Sequence, residues 1–183
     1  MRSLSRRSWA TGLAALSLLV ACGADADERC REVSLAPGVE PSLREVADRQ
    51  GWPVVLPCAA GSGFVATSVL ASEPAGGVQV TVVVTRRGTH AFTFTQAAAL
   101  PAWRDIPRGT RYVSVDAGGV KALGYEGPSG SGATMLYLRW EVENVAFELQ
   151  AAPSAGWPLR AARADAGANI ERTVAALGRD DYE

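Results

Sequence analysis

The sequence predicts an α+β domain: a single antiparallel, twisted meander sheet of about seven strands, with a short N-terminal helix and a C-terminal helix packed on it. Two observations support this fold class. Between residues 64 and 151, apolar and polar residues alternate in successive short segments, which is the period of half-buried strands. Segments with apolar residues at helical spacing lie before and after these strands. Such helices cover the apolar face of an antiparallel sheet.

The N-terminal helix is expected to begin at Ser42. Ser42 and Glu45 match a capping box, Val46 belongs to an apolar stripe, and Gly51 is a suitable end. Residues 52–57 have a proline near each end, which favours an extended, packed connector over a central strand.

The first predicted hairpin joins a Val-rich strand to a Phe-containing strand through Arg86, Arg87 and Gly88. A three-residue loop with Gly88 in the left-handed conformation keeps the apolar residues of both strands on one face. A two-residue loop would set Val82 opposite Thr93, so the sequence favours the longer loop. The predicted pairs are Val84 with His90, Val82 with Phe92 and Val80 with Phe94.

The second predicted hairpin turns at Glu143 and Asn144. A two-residue turn places the apolar residues of both strands on one side of the sheet, and Asn tolerates the positive φ that such a turn needs. The opposite face, with Tyr137, Arg139, Glu141 and Glu148, is expected to be solvated. The predicted pairs are Val142 with Val145, Trp140 with Phe147 and Leu138 with Leu149.

The remaining strands are predicted at 64–71, around 113–115 and at 120–126. The C-terminal helix is predicted from about 167 to 177, capped by Asp165 and ended by Gly178.

Residues 1–21 are expected to be a lipoprotein signal peptide. Basic residues precede an apolar run over 10–21, which is shorter than the roughly 20 residues of a membrane span and typical of a signal-peptide core. The run ends in Leu19-Val20-Ala21-Cys22, which resembles the lipobox of bacterial lipoproteins. The resemblance implies that cleavage makes Cys22 the N-terminus and that Cys22 carries acyl chains such as palmitate, which hold the protein at the extracytoplasmic face of the cell membrane. An ordinary secretory signal is the alternative.

A second export signal overlaps the first. Ser5-Arg6-Arg7-Ser8-Trp9 resembles the twin-arginine motif, and the general secretion route remains equally open.

Residues 22–29 are expected to be an acidic tether, and 30–183 a single extracytoplasmic domain. Removal of 1–21 takes away three arginines and no acid, so the net charge of −1 becomes −4, which does not favour nucleic-acid binding. With Cys22 acylated, Cys30 and Cys58 form an even pair, which in an oxidising compartment predicts a disulfide. Two free thiols are the alternative. One histidine and no CxxC motif give no support for a metal site.

The sequence contains no recognisable catalytic set, so we expect neither an enzyme nor a cofactor. The stretch "GPSGSGAT" at 127–134 approaches a phosphate loop but has Ala133 in place of lysine and leads into a predicted strand. His90 is the only histidine, and G-x-S-x-G is absent from the sequence. The carboxylate pairs Asp180-Asp181 and Glu141 with Glu143 are expected to be solvated.

Tryptophans and arginines in the connectors offer candidate binding residues. Trp52, Trp103 and Trp157 lie close to prolines, where they either cover the open side of the sheet or line a groove for an acyl chain or peptide. Arginines could meet anionic lipid headgroups near a bilayer, with ordinary solvated side chains as the alternative. These arginines are Arg86, Arg87, Arg104, Arg108 and Arg111.

From Ser42 onward, the order of parts resembles uncharacterised extracytoplasmic domains of bacterial lipoproteins and anti-sigma-factor-like membrane proteins. The matching stretches are "WPVVLP", "GSGF", "GGVKALGYEG", "LYLRWEVENVAFEL" and "NIERTVAAL". The resemblance brings no catalytic residues. We expect a non-enzymatic binding or accessory module, whose partners are the membrane, through its N-terminal lipid, and an envelope protein or lipid. The alternatives are a carrier of a hydrophobic ligand in a half-barrel cavity and an enzyme of unknown class.

Overall fold

The computed structural model describes residues 30–50, 52–74, 77–103, 106–129 and 132–178. These residues form two helices, α1 (Val39–Gln50) and α2 (Leu159–Leu177), and ten strands. The strands are β1 (Arg31–Glu32), β2 (Ser34–Leu35), β3 (Cys58–Ala59), β4 (Phe64–Ser72), β5 (Gln79–Arg86), β6 (Thr89–Ala97), β7 (Arg111–Ala117), β8 (Val120–Pro128), β9 (Thr134–Val142) and β10 (Val145–Ala151). The predicted signal peptide, the tether with Cys22, Gly51, Arg104 and Asp180-Asp181 lie outside the described residues.

The fold class is α+β, with a main sheet of eight strands in the order β2-β4-β5-β6-β10-β9-β8-β7. All neighbours are antiparallel except β2 and β4. The sheet is larger than predicted and is not one meander. Two meanders, β4–β6 and β7–β10, meet where β6 pairs with β10. Local alternation of residues identifies strands but carries no information on which strands become neighbours, and the crossover from β6 to the far edge was therefore missed.

The hairpin of β5 and β6 corrects the predicted register. Its turn has two residues, Arg87 and Gly88, both with positive φ (52° and 80°), and Arg86 pairs with Thr89. Between Val84 and Thr85 the register shifts, which leaves Ala91 as an extra residue of β6. This bulge restores the common apolar face after a two-residue turn. The observed pairs are Thr85 with His90, Val84 with Phe92 and Val82 with Phe94.

The hairpin of β9 and β10 confirms the predicted register. Glu143 and Asn144 form the two-residue turn with φ of 48° and 63°. Trp140 lies opposite Phe147, with stacked rings whose centroids are 5.6 Å apart. Val142 pairs with Val145 and Leu138 with Leu149, as predicted.

Helix α2 begins at Leu159, eight residues before the predicted start, because the Ala-rich stretch before Gly167 has a high helix propensity. Asp165 is therefore inside the helix rather than at its cap, while Gly178 is the C-cap as predicted. Ala162, Ala166 and Ile170 of α2 are fully buried against the sheet. Helix α1 begins at Val39, so Ser42 lies within it and not at its start.

The apolar face of the sheet forms the core. Trp157 packs on Phe64 and Phe92 at centroid distances of 5.4 and 5.6 Å, and Phe94 lies 5.9 Å from Trp140. Trp157 and Trp140 are 3% and 4% exposed, so both serve the core. Truncating an aromatic side chain in such a place costs about 3–5 kcal/mol of stability.

Candidate functional site

The folded domain is closed at its start by a cysteine pair. Cys30 and Cys58 lie at disulfide distance, with their Cα atoms 5.2 Å apart. The neighbouring residues Arg31 and Glu32 pair with Ala59 and Cys58 as strands β1 and β3. A loop of this size contributes roughly 3–4 kcal/mol in the chain-entropy model.

Buried side chains of the sheet and α2 hold the connector before β4. The Gln96 amide accepts from the Val55 N–H and donates to the Val55 carbonyl, at 2.9 and 2.8 Å. Asn169 does the same for Cys58, with both distances 2.8 Å. These bonds satisfy backbone groups that no strand of the main sheet reaches, and they fix the extended connector that the prolines predicted.

Asp165 is a buried carboxylate without a cationic partner among its hydrogen-bond donors. It is 3% exposed and accepts from the Ala60 N–H at 3.0 Å and the Trp157 Nε1–H at 2.7 Å. Burial raises the pKa of Asp165, although these two hydrogen bonds act to lower it. Asp165 is therefore not the helix cap that the sequence predicts, and its side chain positions Trp157 instead.

The face of the sheet opposite the core is partly covered: Glu141 is exposed as expected, but Glu148 is buried. Residues 98–103 begin the crossover to β7, and Trp103 lies over β8, β9 and β10. The Trp103 ring contacts Tyr125 and lies 4.5 Å below the Arg139 guanidinium. Its Nε1–H donates to Glu148 at 3.0 Å. Glu148 is 5% exposed and also accepts from Arg139 and Gln150. We call Trp103, Arg139, Glu148 and Gln150 the outer-face cluster.

A second ion-paired carboxylate lies on β8, next to the edge strand β7. Glu126 is 6% exposed and accepts from Arg111 at 2.6 Å and from Arg163 of α2. Burial acts to raise the pKa of Glu126, but the hydrogen bonds and charges of the two guanidinium groups outweigh it, and the pKa lies below its usual range. Arg111, a candidate for lipid contact in the sequence, is therefore part of an ion pair.

An open groove of about 440 Å³ adjoins Trp103. Leu123, which is 56% exposed, lines it with Lys121, Arg139 and Glu141. Trp103 thus both covers the sheet and borders a groove, but a lining that mixes both charges with apolar groups selects no single class of ligand.

A pocket of about 230 Å³ lies beside the β5–β6 turn. Its charged and titratable lining consists of Arg86, Arg87 and His90, and the opposite wall is the turn 154–157, closed by hydrogen bonds between the backbones of Ser154 and Trp157 at 2.9 and 3.0 Å. We call this the cationic pocket. Its described lining contains no carboxylate; the remaining lining residues are Thr89, Ala91, Ala152 and Gly156.

Arg86 is held rigidly in the cationic pocket. Its Cζ lies 5.1 Å from the Phe64 ring centroid, a cation–π arrangement. Gly156 leaves room for the guanidinium, because a Cβ at that position would lie 2.6 Å from Nη1 of Arg86. Nε of Arg86 is shielded from solvent and lacks a hydrogen-bond partner among the described residues. A buried polar group left in this state costs about 1–3 kcal/mol.

The candidate catalytic residues do not come together with one another. His90 is exposed and pairs through its backbone with Thr85. Of the 127–134 stretch, Gly127 and Pro128 belong to β8 and Thr134 belongs to β9, and these strands pair antiparallel with Pro128 opposite Thr134, as expected for a hairpin. Glu141 borders the outer-face groove, whereas Glu143 is in the β9–β10 turn.

Within the described residues, no group of three or more His, Cys, Asp or Glu side chains is placed to hold a metal ion. None of the described helices is both long and apolar enough to cross a membrane. Comparisons of the chain with protein-family models, with curated proteins and with solved structures give no match.

Proposed function

We propose that this chain is a lipid-anchored cell-envelope lipoprotein whose extracytoplasmic domain is a non-enzymatic binding module at the membrane surface. The observation that supports the proposal best is the distribution of cysteines. Cys30 and Cys58 lie at disulfide distance of each other, which leaves the third cysteine of the sequence, Cys22 of the lipobox-like motif, for the lipid.

The distance between anchor and domain is short. Residues 22–29 can span at most about 28 Å when fully extended, so the proposed lipid keeps Cys30 close to the bilayer. Gly63 and Phe64 line a groove with Arg31 and Glu32, the first residues after Cys30, and the Gly63 carbonyl accepts from the Arg87 N–H at 3.1 Å. The cationic pocket therefore adjoins the end of the domain at which the tether enters.

The titratable groups that the structure brings together favour a structural role over a catalytic one. Glu148 with Arg139, and Glu126 with Arg111 and Arg163, form ion pairs. A general acid or base needs a pKa near the working pH and access to substrate. A paired and buried carboxylate lacks that access.

A carrier of hydrophobic ligands would need space against the apolar face of the sheet. That position is filled by Ala162, Ala166, Ile170 and Trp157, each at most 3% exposed. We therefore favour the binding module over the carrier.

The anchor is tested by membrane fractionation and by mass spectrometry of the N-terminal peptide of the mature protein. We expect diacylglycerol on Cys22, and we expect the Cys22→Ala chain to leave the membrane fraction. A Cys30→Ala, Cys58→Ala double variant is the matched control, because it removes cysteines without touching the proposed anchor. An unmodified Cys22, or equal membrane retention of the Cys22→Ala chain, would contradict the proposal.

A further inference from the structure

We infer that the cationic pocket binds a phosphate group, in the form of either an anionic lipid headgroup or a soluble phosphate. This inference deepens the proposed function, and only its lipid form rests on the proposed anchor. The phosphate site itself rests on the geometry of Arg86, Arg87 and the 154–157 turn.

The first argument is the distribution of charge. Among the described residues, Arg44, Arg49, Arg111, Arg139, Arg163 and Arg172 each form an ion pair with a glutamate. Arg86 and Arg87 belong to none of these pairs, although they are adjacent in sequence and line one pocket together with His90. Arg31, Arg108 and Arg160 also form no ion pair among the described residues, but Arg86 and Arg87 line one pocket whose described lining has no carboxylate. Such a pocket favours an anion, and the planar fork of arginine suits phosphate oxygens.

The second argument is preorganisation. Phe64 supports the Arg86 guanidinium from one side, and the missing side chain of Gly156 gives it space on the other. The Arg87 backbone is fixed at the pocket by the hydrogen bond from its N–H to the Gly63 carbonyl, while its side chain is exposed. A cation that is already ordered loses little conformational entropy when it binds a ligand.

The third argument is the unpaired donor. Nε of Arg86 is shielded from solvent and has no partner among the described residues. Arg139, the other arginine stacked on an aromatic ring, uses its Nε to bind Glu148. Arg86 therefore stacks on an aromatic ring as Arg139 does, but without the carboxylate with which Arg139 pairs.

The site is tested by titrating the purified full-length mature protein, in a non-ionic detergent, with inorganic phosphate at constant ionic strength. The readout is the ¹H–¹⁵N spectrum, in which we expect saturable shifts of the Arg86 Nε–H and of the Ser154 and Gly156 amides. Arg87→Gln should weaken phosphate binding at least tenfold. Gly156→Ala should weaken it severalfold without changing the charge, because the new Cβ displaces the Arg86 guanidinium.

The matched control is Arg108→Gln, which removes the same charge from an exposed arginine near β7, an edge strand that does not neighbour β5 or β6. It should leave phosphate affinity within twofold of wild type. Unsaturable shifts in the wild-type protein, or an equal loss of affinity in Arg108→Gln and Arg87→Gln, would overturn the site. Arg87 is exposed, so its variant tests the site even if substitution of Arg86 disturbs folding.

The source of the phosphate is tested with vesicles of phosphatidylglycerol and of phosphatidylcholine, using the Cys22→Ala chain to exclude capture by the anchor. Phosphatidylglycerol binding that Arg87→Gln abolishes assigns a lipid headgroup. Vesicle binding that is equal in Cys22→Ala chains with and without Arg87→Gln, together with saturable phosphate shifts, assigns soluble phosphate. Both results support the site. A failed anchor test changes neither the phosphate titration nor its interpretation.

Discussion

The outer-face cluster and the cationic pocket both hold an arginine against an aromatic ring, but they differ in what the guanidinium meets next. Arg139 lies 4.5 Å from the Trp103 ring and pairs with Glu148, while Arg86 lies 5.1 Å from the Phe64 ring and forms no ion pair among the described residues. The same stacking therefore occurs in two electrostatic settings. With a carboxylate it fixes a connector to the sheet, and without one, we propose, the guanidinium is free to bind an anion.

The largest expected effect is the loss of the carboxylate in the outer-face cluster. Glu148→Ala should lower the free energy of unfolding by about 3 kcal/mol, because it leaves the Arg139 charge and the Trp103 N–H without their partner. Urea unfolding measures this. Glu141→Ala, which removes an exposed carboxylate from the neighbouring strand, should change stability by less than about 0.5 kcal/mol. Equal losses in the two variants would mean that the cluster does not fasten the connector.

Asp165 is the opposite case to Arg86: a buried carboxyl group whose hydrogen-bond donors include no cation. Asp165→Ala should cost about 2 kcal/mol, since it leaves the Trp157 Nε1–H and the Ala60 N–H unpaired. Because the pKa of Asp165 is raised on folding, its contribution to stability is fully present below its unfolded pKa and is lost as the pH rises through its folded pKa. Asp165→Asn should remove this pH dependence, as measured by unfolding at a series of pH values. An unchanged pH profile in Asp165→Asn would contradict this assignment.

Glu126 should show the opposite slope with a smaller amplitude. Its folded pKa is lowered, so its contribution is present above its unfolded pKa and is lost as the pH falls through the folded value. Arg111 and Arg163 are partly solvated, with side chains 68% and 38% exposed, which limits the effect to about 1 kcal/mol. Glu126→Gln should flatten the acid side of the stability curve. A steeper acid slope in Glu126→Gln would contradict the sign.

The smallest expected effect on stability is that of Arg87→Gln, below about 0.5 kcal/mol, because the Arg87 side chain is exposed and has no charge partner among the described residues. Thermal unfolding in chloride buffer measures it. A loss of unfolding free energy as large as that of Glu148→Ala would mean that Arg87 stabilises the fold, as Arg139 does.

The sequence predicted local pairing well where a turn and both strands agreed. The two-residue turn at Glu143 and Asn144 predicts the β9–β10 register, and all three predicted pairs are observed. At the β5–β6 turn the same argument gave the wrong register. The turn has two residues instead of three, and the bulge at Ala91 returns the apolar residues to one face, so the alternation of apolar and polar residues is the same for both loops. Local patterns also do not specify long-range neighbours, so the β6–β10 pairing and the cover provided by Trp103 could not be predicted.

The candidate sites show the same limit. Arg86 and Arg87 are visible in the sequence as candidates, but the turn at 154–157 that completes their pocket and the Phe64 ring under Arg86 come from other parts of the chain. Asp165 and Asn169 look like ordinary polar residues of a helix. Their spacing of four residues in an Ala-rich stretch was the one signal that a polar stripe faces inward.

The most direct test of whether the cationic pocket binds an anion is the gain in the free energy of unfolding when phosphate replaces chloride at equal ionic strength. At ten times the dissociation constant, the wild-type protein should gain about 1.4 kcal/mol from binding, in addition to the general salting effect of phosphate. The Arg86→Gln, Arg87→Gln double variant should show the general effect alone. An equal gain in both proteins would contradict the assignment of the cationic pocket as a ligand site.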